Sequence, residues 1–126
     1  TFGVAQVSQA ELLAEADIVS LHVPLTELTH FMVDEVFLQQ MKPSAYLINN
    51  SRGLVVKQEA LKKVLQQKAI AGAALDVYES EPPDDLEFLS LSNLMVTPHI
   101  GGNADEAVLA MGRSAINHLK RFFADD

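Results

Sequence analysis

Apolar positions recur along this chain with two periods, one helical and one of strand type, and the alternation between them divides it into segments. Ser8-Gln9-Ala10-Glu11 has the form of a capping box, in which the serine caps an orphan N–H and Glu11 reaches back. It predicts a helix whose apolar face is Leu12, Leu13 and Ala16. The β-branched run Ile18-Val19-Ser20-Leu21-His22-Val23 reads as a strand, stopped at Pro24 by the missing backbone donor. Asp34 is positioned to cap a second helix with Val36, Phe37, Leu38 and Met41 apolar. Ala45-Tyr46-Leu47-Ile48-Asn49 reads as a second strand that ends in the polar group Asn49-Asn50-Ser51-Arg52-Gly53. Ala60, Leu61, Val64 and Leu65 mark a third helix over 58–67. The run 70–77 is a third strand whose small residues suggest close approach of backbone or ligand. An acidic, proline-containing loop is expected over 78–89, a fourth strand over 93–97, and a last helix capped by Asn103. Val108, Met111, Ala115, Leu119 and Phe122 form the stripe that this helix is expected to bury.

Strands separated by helices predict an α/β fold with a parallel sheet: the C-terminal part of a Rossmann-like doubly wound sheet, with about four strands and flanking helices. Ligands in such sheets bind beyond the carboxyl ends of the strands. His22, Asn50-Ser51-Arg52, Asp76 and His99 each close a strand or follow one at once, so the polar residues gather where a ligand would sit.

Composition narrows the chemistry. A length of 126 residues is that of one domain, and 48% hydrophobic with 21% charged residues excludes intrinsic disorder. Nine Lys and Arg against 17 Asp and Glu give a net charge of −8, a poor match to nucleic acid or an anionic membrane. The chain has no Cys, hence no disulfide, thiolate nucleophile or Cys-based metal site. No leader or spanning run is legible, and a cytoplasmic location is the expectation. The four His lack metal-ligand spacing, and Ser51 lacks a nucleophile elbow. What remains is a guanidinium suited to a carboxylate, an imidazole suited to one proton, and carboxylates able to favour the imidazolium. Such a set binds a 2-oxo or 2-hydroxy acid and exchanges a proton at its oxygen, but hydride transfer needs a cofactor. On residue type alone, Arg52 reads more readily as a loop arginine, His99 as a turn residue and Glu81 as a solvated carboxylate, while Asp76 is equally a turn cap.

Four stretches carry a resemblance: Ala16-Asp17-Ile18-Val19-Ser20-Leu21-His22-Val23-Pro24-Leu25-Thr26; Ile48-Asn49-Asn50-Ser51-Arg52-Gly53-Leu54-Val55; Gly72-Ala73-Ala74-Leu75-Asp76-Val77-Tyr78-Glu79-Ser80-Glu81-Pro82; and Thr97-Pro98-His99-Ile100-Gly101-Gly102. In order and spacing the chain resembles the nicotinamide-binding domain of the D-isomer-specific 2-hydroxyacid dehydrogenases, from about Gly3 into the last helix. The resemblance implies that Arg52 holds the substrate carboxylate and carbonyl oxygen, that His99 is the general acid/base, and that Glu81 is its partner. It implies that Asp76 contacts the nicotinamide carboxamide. His22, Val23, Pro24 and Thr29 would line the adenine and its ribose, and Asn50, Ser51, Gly101 and Gly102 the nicotinamide side. The implied cofactor is NAD, with NADP open, because the residue that discriminates them lies upstream of Thr1 in the family. The implied substrate is a small D-2-hydroxy or 2-oxo acid, and the implied assembly is a homodimer.

Departures from the family sharpen this reading. No Gly-x-Gly-x-x-Gly turn occurs, so residues 1–126 are expected to be a partial NAD-binding domain without the Gly-rich first βαβ unit and without the substrate domain. Such a piece is expected to be inactive alone, to bind NAD weakly, and to self-associate through the open edge of its first strand. Lys57 stands where the family usually has a capping Asp, and Asn103 where it usually has a hydroxyl. Two alternatives share the fold: an NAD(H)-sensing, corepressor-like interaction protein, and a formate-type dehydrogenase, which usually carries Gln in place of Glu81.

Overall fold

The computed structural model describes residues 3–102 and 104–123. The elements are α1 (Gln9–Glu15), β1 (Ile18–Leu21), α2 (Glu35–Gln39), β2 (Tyr46–Asn49), a 3-10 turn (Gly53–Val55), α3 (Gln58–Gln66), β3 (Gly72–Leu75), α4 (Leu86–Leu89), β4 (Leu94–Val96) and α5 (Asp105–Phe122). Two of the helix starts are the ones the side chains dictate. Ser8 accepts from the Glu11 N–H at 3.2 Å, and Asp34 accepts from the Phe37 N–H at 2.9 Å.

The four strands are parallel in the order β1-β2-β3-β4. Each right-handed crossover moves one strand further in the same direction, so α2, α3 and α4 fall on one face of the sheet. Val19, Leu21, Leu47, Ala73 and Leu75 point into that layer and join Phe37, Leu38, Leu61, Val64, Leu65 and Phe88 in one core. The next residues along each strand face the other way. Ser20, Ile48, Ala74 and Met95 are register partners in one row across that opposite face. Ile18, Tyr46 and Met95 are exposed there, beside a hollow of about 500 Å³. β1 is an edge strand, as expected of the run that opens at Ile18.

Several expectations need correction. β1 stops at Leu21, so His22 and Val23 belong to the loop. The acidic loop contains a short helix, α4, whose start is capped by Asp85 through the Phe88 N–H at 3.0 Å. Lys62 joins α3 to that segment by ion pairs to Asp85 (2.9 Å) and Glu87 (2.8 Å). Leu12 and Val36 are exposed, and Leu13 alone in α1 is buried. The stripe of α5 is not buried: Val108, Met111, Leu119 and Phe122 are all more than half exposed. The amphipathic pattern is real, but no residue of α5 is buried and none is among those packed against the core. Asn103 lies outside the described residues, and the helix boundary falls at Ala104 without a side-chain cap. No described helix is long and apolar enough to cross a membrane.

Lys57 occupies the N-cap of α3 and makes no capping bond. The Gln58 N–H instead donates to the Glu79 carboxylate, reached from the loop after β3. One orphan donor is thereby satisfied from a distance, while a cation sits at the positive end of the helix. Lys57→Asp is therefore expected to raise stability by about 1 kcal/mol, read as a higher urea midpoint at unchanged slope. An unchanged or lower midpoint would show that Glu79 already does all that a cap can do.

Candidate active site

Asn49, Leu75 and Val96 are neighbours across the last rung of the sheet, so the loops that follow them leave at one level. Asn49 is the one polar side chain among the fully buried residues described. Its Oδ1 accepts from the Ser51 N–H (3.1 Å) and the Ser51 hydroxyl (2.9 Å), and its Nδ2 donates to the Arg52 carbonyl (3.0 Å). A buried amide left unpaired would be costly, so these bonds hold the loop in one shape. Gly53 fixes where that loop lies: a Cβ there would stand 1.8 Å from the Tyr78 carbonyl oxygen. Arg52 is thus pressed toward the segment after β3. Its exposed guanidinium donates to the Ser51 carbonyl at 2.7 Å.

The exit of β3 grips the exit of β4. Asp76 accepts from the Thr97 hydroxyl (2.5 Å), the Ile100 N–H (2.9 Å) and the Gly101 N–H (2.7 Å). Between these anchors His99 adopts φ +54°, the left-handed region that costs a residue with a Cβ. Gly101 has no Cβ because one would stand 2.8 Å from the Asp76 carboxylate. His99 Nδ1 lies 2.6 Å from Glu81 Oε2, while Glu81 Oε1 accepts from the Tyr78 N–H at 3.1 Å. Burial pushes the Asp76 carboxyl up, but the donors from Thr97, Ile100 and Gly101 outweigh it and hold it below the usual carboxylate range. The His99 and Tyr78 hydrogen bonds hold Glu81 below its ordinary value too.

The remaining predicted residues form the loop after β1. His22 Nε2 lies 2.9 Å from the Ser20 hydroxyl. The Thr29 hydroxyl donates to the Pro24 carbonyl (2.6 Å) and accepts from the Thr26 N–H (2.8 Å), closing a tight turn, and Val23 packs on the core. The structure pairs Glu81 with His99, gathers Asp76 and Gly101 around them, and places Arg52 and His22 on neighbouring loops of the same sheet edge. Asn49, Tyr78, Thr97 and Glu79 are contributors the sequence reading missed. A polar residue ending an otherwise apolar strand was the available signal for Asn49. For the other three, partners 19 to 21 positions away left no local trace.

A hollow of about 150 Å³ is lined by Ile48, Asn50, Ala74, Asp76, Met95 and Thr97, and a Gly102 Cβ would meet no described residue within 4 Å beyond its own chain neighbours. Asp76 uses three of roughly four acceptor positions, which leaves one for a carboxamide N–H. Among the described residues no cluster of His, Cys, Asp or Glu is placed to hold a metal ion.

Comparison with known proteins agrees with this architecture. Residues 1–101 match the family model described as D-isomer specific 2-hydroxyacid dehydrogenase, NAD binding domain. A glyoxylate reductase of Thermococcus litoralis is 46% identical over 120 residues, covering 95% of this chain and 36% of that protein. The chain therefore spans about a third of the length of the curated relatives it matches. The D-lactate dehydrogenase of Aquifex aeolicus, solved with NAD and lactic acid, superposes with a TM-score of 0.80 at 34% identity, over 95% of this chain and 41% of that one. An acyclic imino acid reductase, Bsp5, solved with NADPH and D-Arg, superposes with a TM-score of 0.90 at 34% identity, over 99% of this chain and 40% of that one.

Because the folded state holds Asp76 and Glu81 below their unfolded values, their contribution is complete at neutral pH and is lost as pH falls through the folded values. Asp76→Asn is expected to be less stable than the parent at pH 7 and to lose less stability between about pH 5 and pH 3. Urea unfolding across that range checks it, and parallel pH curves for the two proteins would contradict it.

Proposed function

The chain belongs to the D-isomer specific 2-hydroxyacid dehydrogenase family, and on that premise we propose that it is part of an oxidoreductase moving hydride between NAD(P) and a small D-2-hydroxy or 2-oxo acid. The observation that carries this reading is the 2.6 Å contact of Glu81 with His99 at the sheet edge that also bears Arg52. NAD in one structural neighbour and NADPH in another leave both dinucleotides within the proposal. The shares of the relatives covered support a division of labour, in which the Gly-rich βαβ unit and the substrate domain come from other parts of the protein. The homodimer implied by the resemblance belongs to the same proposal.

The dinucleotide, when bound, supplies hydride to the carbonyl carbon or takes it back. Every proton step falls to this chain. The Arg52 guanidinium grips the substrate carboxylate in a planar, two-pronged contact and orients the oxo group. With a net charge of −8 this chain offers no general attraction for an acid, so its own contribution to capture rests on this local cation. His99 gives its proton to the oxo oxygen as the hydroxyl forms and recovers one in the reverse direction. Glu81 holds Nδ1, which fixes the ring orientation and directs Nε2 toward the substrate. Asn50, Ser51, Asp76, Gly101 and Gly102 would line the nicotinamide side, with His22, Val23, Pro24 and Thr29 along the adenosine side. In the second group the Thr29 hydroxyl already donates to the Pro24 carbonyl, so its part there is to shape the loop.

Steady-state reduction of a panel of small 2-oxo acids, glyoxylate first, by the full-length protein tests the assignment. His99→Ala and Arg52→Ala are each expected to lower kcat/KM by at least ~10²-fold, the scale of one general acid/base. Variants that keep parental kcat/KM would remove these residues from the reaction.

A further inference from the structure

Tyr78 bonds to one half of the proton-exchanging pair directly and reaches the other through the Thr97 carbonyl, and it has no part in the chemistry described above. It is buried, two residues beyond Asp76 in the segment leaving β3. Its backbone N–H donates to Glu81 Oε1 at 3.1 Å. Its hydroxyl donates to the Thr97 carbonyl at 2.7 Å, and that same carbonyl accepts from the His99 N–H at 3.0 Å. The bonds close a circuit. It runs from the Tyr78 N–H through the Glu81 carboxylate to the His99 ring, along His99 to its own N–H, onto the Thr97 carbonyl and back through the Tyr78 hydroxyl.

The circuit constrains what the rest of the fold leaves adjustable. Glu81 and His99 sit on different exposed loops. Asp76 fixes the turn from its far side, at Ile100 and Gly101. On the near side, the Thr97 carbonyl is tied to the core through the Tyr78 ring. We infer that Tyr78 is a positioning residue, whose hydroxyl sets the angle at which the left-handed His99 presents its imidazole to Glu81. Burial and the neighbouring Asp76 carboxylate push the Tyr78 phenol up, so the hydroxyl keeps its proton and remains a donor at neutral pH. Gly53 supports the arrangement by letting the Arg52 loop rest against the Tyr78 backbone, where any Cβ would collide. This inference deepens the reading of Glu81 and His99 given above and rests on it.

Tyr78→Phe in the full-length protein keeps the ring that fills the core and removes only the hydroxyl. The Thr97 carbonyl retains the His99 N–H, so the variant is expected to fold, which thermal unfolding checks. A misaimed proton donor acts on the chemical step more than on binding. The expectation is a fall in kcat of about tenfold, with KM for the 2-oxo acid within about twofold. The low-field proton resonance of the short Glu81–His99 bond is expected to shift or broaden. Placing 4-aminophenylalanine at position 78 returns an N–H donor and is expected to restore both readouts. Parental kcat and an unmoved resonance in Tyr78→Phe would overturn the inference, as would failure of the amino variant to restore them. Should the Phe variant not fold, the amino variant decides alone: parental kcat and resonance support the role, and their loss overturns it. His99→Ala, assayed in parallel, separates the two readings. Activity lost there but kept in Tyr78→Phe removes only the role of Tyr78, whereas activity surviving His99→Ala removes both.

Discussion

The Asp76 carboxylate is the point from which the geometry of the site follows. It leaves the end of β3 and takes three donors from the chain leaving β4. Between those donors His99 stands in a left-handed backbone conformation that costs about 1–2 kcal/mol for a residue with a Cβ. One hydrogen bond to a charged group is of that size, so three of them suffice to hold the turn. The aim of the imidazole is thus decided by a neighbouring strand as much as by its own loop. Without that grip, Thr97, Ile100 and Gly101 would be free to relax together, and the short contact with Glu81 would have no fixed second end.

Parallel register makes such a grip possible. Neighbouring strands lie about 4.8 Å apart, and those ending in Asn49, Leu75 and Val96 finish on one rung. Each following loop can therefore reach the next one. Asn49 turns the first loop inward and holds Arg52 by its carbonyl, Asp76 clamps the third loop, and Tyr78 ties the second to the third. The longer connection after β1 closes a turn through Thr29 and then joins the segment after β2, where the Phe31 and Val33 N–H groups donate to the Leu54 and Val55 carbonyls. The same right-handed winding that brings these ends together leaves the opposite sheet face uncovered by α2–α4.

Much of this was legible because local chemistry decides it. Ser8 and Asp34 cap the helices they precede, and strands of apolar, β-branched or small residues became the four strands. Arg52, Glu81 and His99 stood out through motif order, and the last two lie in contact. The rest depends on partners distant in sequence. Glu79 serves the Gln58 N–H from 21 positions away, which softens the missing cap at Lys57 and could not be read locally. The helix α4 has only four residues within an acidic loop, too few for a periodic signal. The stripe of α5 was read correctly as amphipathic, but the pattern alone does not say what covers it, and here it is exposed. For Asp76 the turn-cap reading describes the observed bonds, while one remaining acceptor position keeps the carboxamide role open to it.

The most direct measurement is a crystal structure of the full-length protein with dinucleotide and an unreactive analogue of a small 2-oxo acid bound together. The analogue's carboxylate is expected on the Arg52 guanidinium, its oxo oxygen within hydrogen-bonding distance of His99 Nε2, and Glu81 still on Nδ1. An analogue seated away from Arg52, or a His99 ring turned away from both Glu81 and the oxo oxygen, would contradict this expectation.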